Sequence, residues 1–231
     1  MNNILFTFFC LYFSLQAGDS AELFFQANQY FEQGNFDQAV DLYDQIKEPL
    51  AEVLMNKGIA YFNKKQYAEA RLAFAQAQKK ADGILYFQID GYQRELDKKL
   101  DDVSKKNLAK YFIDILYSFP NSLYHVIIIF CFLGIISAIL KRKPLKKIIT
   151  LYVLFFIFSC AWMYQCRLKS QQIAVVMKEA DLYAGPDLLF LKKTVIPLGK
   201  VLRVLEEKNN MMHVRTNKEQ GWINVENIKL I

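Results

Sequence analysis

Two asparagines, Asn28 and Asn56, are the residues of this chain best suited to holding another molecule. Each amide carries a carbonyl acceptor and an N–H donor, so a pair on neighbouring helices could grip the backbone of a bound peptide without fixing its sequence. Phe31 and Phe62 would flank the same groove for an extended or helical peptide; the alternative is that all four are ordinary helix-surface residues. Catalytic chemistry has fewer candidates. His125 opens an apolar run, His213 lies inside a strand pattern, and no HExxH, P-loop, Gly-x-Ser-x-Gly elbow or CxxC pair occurs. The carboxylates of "DKKLDD", from Asp97 to Asp102, alternate with lysines and read as a solvated helix face. Trp222 reads as a core residue. The expectation is a non-enzymatic protein with neither cofactor nor metal.

Behind these side chains stand three kinds of element. Ser122 to Leu140 and Ile148 to Tyr164 contain no Lys, Arg, Asp or Glu. A helix needs about 20 mostly apolar residues to cross the hydrocarbon core, so each run is just long enough to span; the alternative is a pair of buried core helices. Between them "KRKPLKK" holds five cations, Lys141, Arg142, Lys143, Lys146 and Lys147. Short loops rich in Lys and Arg stay on the cytoplasmic side, which places both flanking segments outside. The formal charge of +6 has its largest part in that link, and Ala17 to Asn121 is acidic, with 13 basic and 16 acidic residues. No soluble part is basic enough to suggest nucleic acid.

The first 17 residues, with an apolar run from Ile4 to Leu15, read as a secretory signal cut near Ala17 or as an uncleaved anchor. Cys10, Cys131, Cys160 and Cys166 leave no pair in a soluble segment for a disulfide framework.

The segment that follows repeats itself with a period of 31 residues. Leu23 aligns with Leu54, Ala27 with Gly58, Tyr30 with Tyr61, Phe36 with Tyr67, Ala39 with Ala70, and Tyr43 with Phe74. Small residues let paired helices approach while aromatics fill the space around them, as in a stacked helix-turn-helix repeat. The pattern resembles the tetratricopeptide repeat, whose period is about 34 residues. About three repeats are normally needed, so the helix from Gly83 to Leu100 is expected to cap the array. Asn28 and Asn56 fall at positions similar to the asparagines with which some members of that family clamp a terminal carboxylate. Phe24, Gly83 and Phe87 stand where the clamp's basic residues would be, so the clamp itself is not expected.

After the second apolar run come short β-branched stretches: Ala174 to Met177, Asp181 to Asp187, Lys200 to Glu207, Met211 to Thr216 and Gly221 to Ile231. The order "LYAGP", "IPLGKVLRVLEE", "MHVRT", "GWI" is similar to bacterial SH3 domains, although Met211 and Met212 replace an aromatic often found before the "VR" strand.

In this order the parts resemble the BatE family, the tetratricopeptide-repeat and SH3-domain members of the Bat aerotolerance proteins. The expected fold class is a multidomain membrane protein: a signal peptide (1–17), two tetratricopeptide repeats (18–82), a capping helix and linker (83–121), transmembrane helices (122–140 and 148–164) around a cytoplasmic basic loop (141–147), and an all-β SH3-like domain (171–231). The resemblance implies a two-pass protein of the bacterial cytoplasmic membrane with both soluble domains extracytoplasmic. It also implies a scaffold that binds proteins there and assists assembly of envelope complexes, with von Willebrand factor A domain membrane proteins and a MoxR-type ATPase as partners. The alternative is a tethered sensor whose SH3-like domain binds peptidoglycan or another cell-wall ligand.

Overall fold

The computed structural model describes residues 19–100, 119–141, 144–216 and 219–231. The expected signal peptide, residues 101–118 of the linker, and the side chains of Arg142, Lys143 and Lys147 lie outside the described residues. The chain divides into two units: Met1–Lys80, Ile89–Val103 and Ile173–Ile231 form the first, Ala81–Gln88 and Ser104–Gln172 the second.

Helices α1 (19–32), α2 (Phe36–Gln45), α3 (Ala51–Asn63) and α4 (Tyr67–Lys80) form two helical hairpins of like construction. Each hairpin turns the same way. At the end of α1 the N–H of Asn35 donates to Tyr30 O (2.9 Å) and that of Gly34 to Phe31 O (3.0 Å). Thirty-one residues later, Gln66 donates to Tyr61 O (3.0 Å) and Lys65 to Phe62 O (3.0 Å). These are the paired bonds of a Schellman cap, which needs a left-handed residue at its bend. Gly34 (φ 77°) supplies it without strain, whereas Lys65 (φ 61°) supplies it against the clash of its own Cβ.

The aligned small residues are buried in both hairpins, Ala27 and Gly58 on the first helices, Ala39 and Ala70 on the second. The aligned aromatics Tyr43 and Phe74 are almost wholly enclosed, at 1% and 0% exposure. A Cβ at Gly58 would lie 2.6 Å from the Phe74 ring, so helix α3 reaches α4 only because this position has no side chain. Helix α5 (Gly83–Lys99) covers the open side of α4 with the part that belongs to this unit. There Tyr92 stacks on Phe74 (centroids 5.6 Å apart, 7° between planes) and Gln93 donates to Gln78 (3.1 Å). Asp97 is not on a purely solvated face. Its carboxylate lies 2.6 Å from Nη2 of Arg71, a residue only 4% exposed on α4. A cation in that position demands a counter-charge, which overrides the surface pattern of the lysines around Asp97.

The same unit carries a seven-stranded, wholly antiparallel sheet in the order β3-β2-β6-β5-β4-β1-β7. Its strands are β1 (Ile173–Val176), β2 (Ala180–Tyr183), β3 (Lys192–Ile196), β4 (Val201–Lys208), β5 (Met211–Arg215), β6 (Gln220–Asn224) and β7 (Ile228–Leu230). Strands β4 and β5 join through Asn209 and Asn210, both at positive φ (50° and 60°), the two-residue bend whose twist suits a hairpin. Ala174, Val176, Leu182, Leu202, Val214 and Ile223 build the core of the sheet. At Gly221 a Cβ would stand 2.6 Å from Tyr183 O, so the glycine lets β6 pass against β2. Helix α4 packs against β1, and Lys79 donates to Ile231 O (3.1 Å), which joins helices and sheet within the unit.

The second unit is dominated by α6 (Asn121–Leu140) and α7 (Leu145–Lys169), an antiparallel pair. Leu151 fits against Gly134, and His125 meets Trp162 edge-on with centroids 5.2 Å apart. Gln165 anchors the far end by donating to Phe119 O (2.7 Å). Ser122–Leu140 and Ile148–Arg167 are long and apolar enough to cross a membrane, and only 11% and 6% of these stretches are buried. Their apolar side chains face outward along their length, unlike those of core helices in a water-soluble fold.

Candidate functional site

Asn28 on α1, Tyr43 on α2 and Asn56 on α3 form one polar cluster where the two hairpins meet. The Oδ1 of Asn28 accepts from the Tyr43 hydroxyl (2.6 Å) and from Nδ2 of Asn56 (3.1 Å). The hydroxyl needs such a partner, because an enclosed phenol without one forfeits its hydrogen bond to water. Burial pushes the Tyr43 phenol up to about 12, with a side-chain hydrogen bond to Asn56 acting the other way. The asparagine pair is therefore held in register by the fold itself. One carbonyl and one amide N–H are used inside the cluster, and both side chains remain half-buried rather than enclosed. The Asn28 amide N–H and the Asn56 carbonyl take no part in these two bonds.

Phe31 and Phe62 do not join that cluster. Each closes the end of its own hairpin, Phe31 against Phe36 (5.6 Å, 70° between planes) and Phe62 against Tyr67 (5.9 Å, 57°). Beside Phe62, the ring of Tyr61 has the ammonium groups of Lys57 and Lys64 each 5.7 Å from its centroid. Those lysines pair with Asp44 and Asp37 respectively. Burial, followed by the nearby charges of Asp44, Glu69 and Asp41, pushes the Tyr61 phenol up to about 12. Of the basic link, Lys141 and Lys146 are exposed on either side of the bend between α6 and α7.

In the sheet Trp222 is buried (8% exposed), and His213 stacks on it with centroids 4.9 Å apart and 12° between planes. The Nδ1 of that histidine stands 3.5 Å from the carboxylate of Glu206. An open cleft of about 450 Å³ lies along β3 and β6, lined by Leu191, Lys192, Lys193, Glu219 and Gln220. Among the described residues no group of three or more His, Cys, Asp or Glu side chains is disposed to hold a metal ion.

Tyr43 is the member of the asparagine cluster that sequence reasoning passed over. The signal was available: at the aligned position the second hairpin has Phe74, so the first hairpin alone carries a hydroxyl into a core position. Arg71 is a parallel case, since it aligns with the buried Val40. No known protein family, curated protein or solved structure matches the chain.

Proposed function

We propose that the protein is a non-enzymatic, two-pass membrane scaffold of the BatE type, with tetratricopeptide repeats and an SH3-like domain on the extracytoplasmic side of the bacterial cytoplasmic membrane. The duplicated hairpin carries this reading. Two helix pairs with the same turn, the same small-residue seam and the same enclosed aromatic form the unit from which peptide-binding arrays are built. Asn28 and Asn56, on the first helix of each pair, then hold an extended or helical segment of a partner protein through its backbone.

The membrane arrangement has its own support. Two spans return the chain to the side it left, which is what packing of α4 against β1 requires of the segments before and after them. Lys141 and Lys146, with the remaining cations of the link, set that side as extracytoplasmic. Envelope complexes containing von Willebrand factor A domain proteins, served by a MoxR-type ATPase, are the partners this reading implies. The cleft beside β3 and β6 favours a second reading, in which the sheet holds a cell-wall ligand.

Copurification of envelope partners distinguishes the two. Asn28→Asp keeps an acceptor for the Tyr43 hydroxyl while removing the amide donor; combined with Asn56→Ala it should weaken partner recovery by about tenfold, the loss of one to two hydrogen bonds. Deleting residues 171–231 is the counterpart. Recovery that survives the asparagine changes and disappears with the deletion would reject binding through the repeats.

A further inference from the structure

The loop between β2 and β3, residues 184–191, presents Leu188, Leu189 and Leu191 at 57%, 93% and 78% exposure. No other large apolar side chain among the described residues is as open as Leu189, including those along α6 and α7. The loop is built rather than slack. Ala184 donates to Leu191 O (2.9 Å) at its base, Phe190 donates to Asp187 O (3.2 Å), and Leu189 donates to Oδ1 of Asp187 (3.1 Å). Phe190 folds back over Gly185, where a Cβ would stand 2.6 Å from its ring. These contacts lay Phe190 over Gly185 with about half of its surface still open, at 49% exposure, and leave three leucines outward.

We propose that this tip embeds its leucines in the extracytoplasmic lipid surface of the membrane that α6 and α7 cross. Five features point to lipid as the occupant. The most exposed side chains offered are aliphatic, with Phe190 beside them and without the arginine anchors common at protein interfaces. Three of the tip's N–H groups are satisfied within it, which removes much of the penalty for taking backbone out of water. Lys192 and Lys193 follow directly, exposed at the stem with Lys192 beside Asp181 (2.7 Å) and Lys193 on Gln220 O (3.0 Å), placed to meet phosphate groups as the leucines enter. The carboxylate of Asp187 limits insertion to the headgroup and upper acyl region. Finally, Arg167 ends the apolar stretch of α7 and Ile173 begins β1, so at most about 20 Å of chain joins the two. The proposal rests on α6 and α7 being spans.

The full chain, with Cys10, Cys131, Cys160 and Cys166 replaced by Ala and Leu189→Cys added, is labelled with nitrobenzoxadiazole. It is reconstituted into phosphatidylcholine vesicles containing phosphatidylglycerol. A second preparation carries the label at Asn209→Cys in the β4–β5 turn. The expected result at position 189 is a blue-shifted emission, quenching by doxyl-labelled lipid and loss of iodide quenching, with the reverse pattern at 209. Equal iodide quenching at the two positions overturns the proposal. Iodide protection at 189 without doxyl quenching also overturns it, because a protein surface then covers the loop. A chain that fails to float with the vesicles removes the span reading and the proposal together, whereas a floating chain with an unquenched loop removes the loop alone.

Discussion

Gly91→Ala should stabilise the protein and Gly58→Ala should not, although both replace a glycine inside a helix. In α3 and in α5 alike, alanine gains about 1 kcal/mol from helix propensity. At Gly91 nothing lies within 4 Å of the added Cβ, so that gain stands alone. At Gly58 the Cβ would fall 2.6 Å from both Cδ1 and Cε1 of Phe74, where carbon atoms prefer about 3.5 to 4.0 Å. The ring would have to retreat by about 1 Å. It is fully enclosed and stacked on Tyr92, so it has nowhere to go without moving α5. Overpacking of this kind costs about 1 to 3 kcal/mol, which leaves Gly58→Ala between neutral and about 2 kcal/mol destabilising. Because the propensity gain is common to both, their difference of about 1 to 3 kcal/mol isolates the contact. Urea titration of the detergent-solubilised chain, read by pulse proteolysis of the helical segment, measures it. Phe74→Leu in the Gly58→Ala background should recover part of the loss. Equal stabilisation by the two alanines, or no recovery with the smaller side chain, would refute the close approach of α3 and α4.

Lys65→Gly should stabilise the second hairpin by about 1 kcal/mol, since Gly34 performs the same left-handed bend in the first; an unchanged urea midpoint would mean the two turns are not alike. Tyr43→Phe and Asn28→Ala should each destabilise, the latter by about 1 to 3 kcal/mol because it strands the buried hydroxyl, and the double variant should cost clearly less than the sum. Strict additivity would show that the 2.6 Å bond contributes nothing. The phenols of Tyr43 and Tyr61 are raised to about 12 from 10.0, so the folded state holds protons that the unfolded chain has released in that interval. Their contribution is complete below pH 10 and is lost as pH rises toward 12, and Tyr43→Phe should flatten that decline in urea midpoints measured from pH 9 to 12.

The stretches with one dominant physical demand were legible in the sequence. Ser122–Leu140 was read with the bounds it has, because a charge-free run of that length admits few other uses. The second helix runs further than the apolar stretch read for it, to Lys169, since helix geometry does not end where the apolar residues do. Four of the six pairs in the 31-residue alignment share their burial and the two hairpins share turn geometry, whereas Leu23 and Tyr30 are more exposed than Leu54 and Tyr61. Strand β3 was missed because it opens with Lys192 and Lys193 at the sheet edge, where charges guard an open strand and no alternation marks it. The run from Gly221 to Ile231 was read as one strand, yet Asn224 accepts from Glu226 N (3.0 Å) and starts a short helical turn at Val225–Asn227. The chain is thereby redirected from the middle of the sheet at β6 to its far edge at β7. Sites were harder still. Asn28 and Asn56 could be picked by type, but that the Asn28 carbonyl accepts from both Asn56 and Tyr43 appears only when three helices are brought together.

The bond from Lys79 to Ile231 joins residues 152 positions apart. Translation adds roughly 5 to 20 residues per second, so about 8 to 30 seconds separate the synthesis of its two ends. During that interval α4 is complete while its partner strand does not yet exist, and an apolar helical hairpin long enough to cross a membrane is made in between. The helical hairpins must therefore hold their shape with one face uncovered until the strands arrive, and both halves must reach the same compartment before they can close on each other. On the proposed reading of α6 and α7 as spans, their insertion would be a folding step for the rest of the protein: a chain whose hairpin inserted only once would strand β1 through β7 across the bilayer from the helix they pack against.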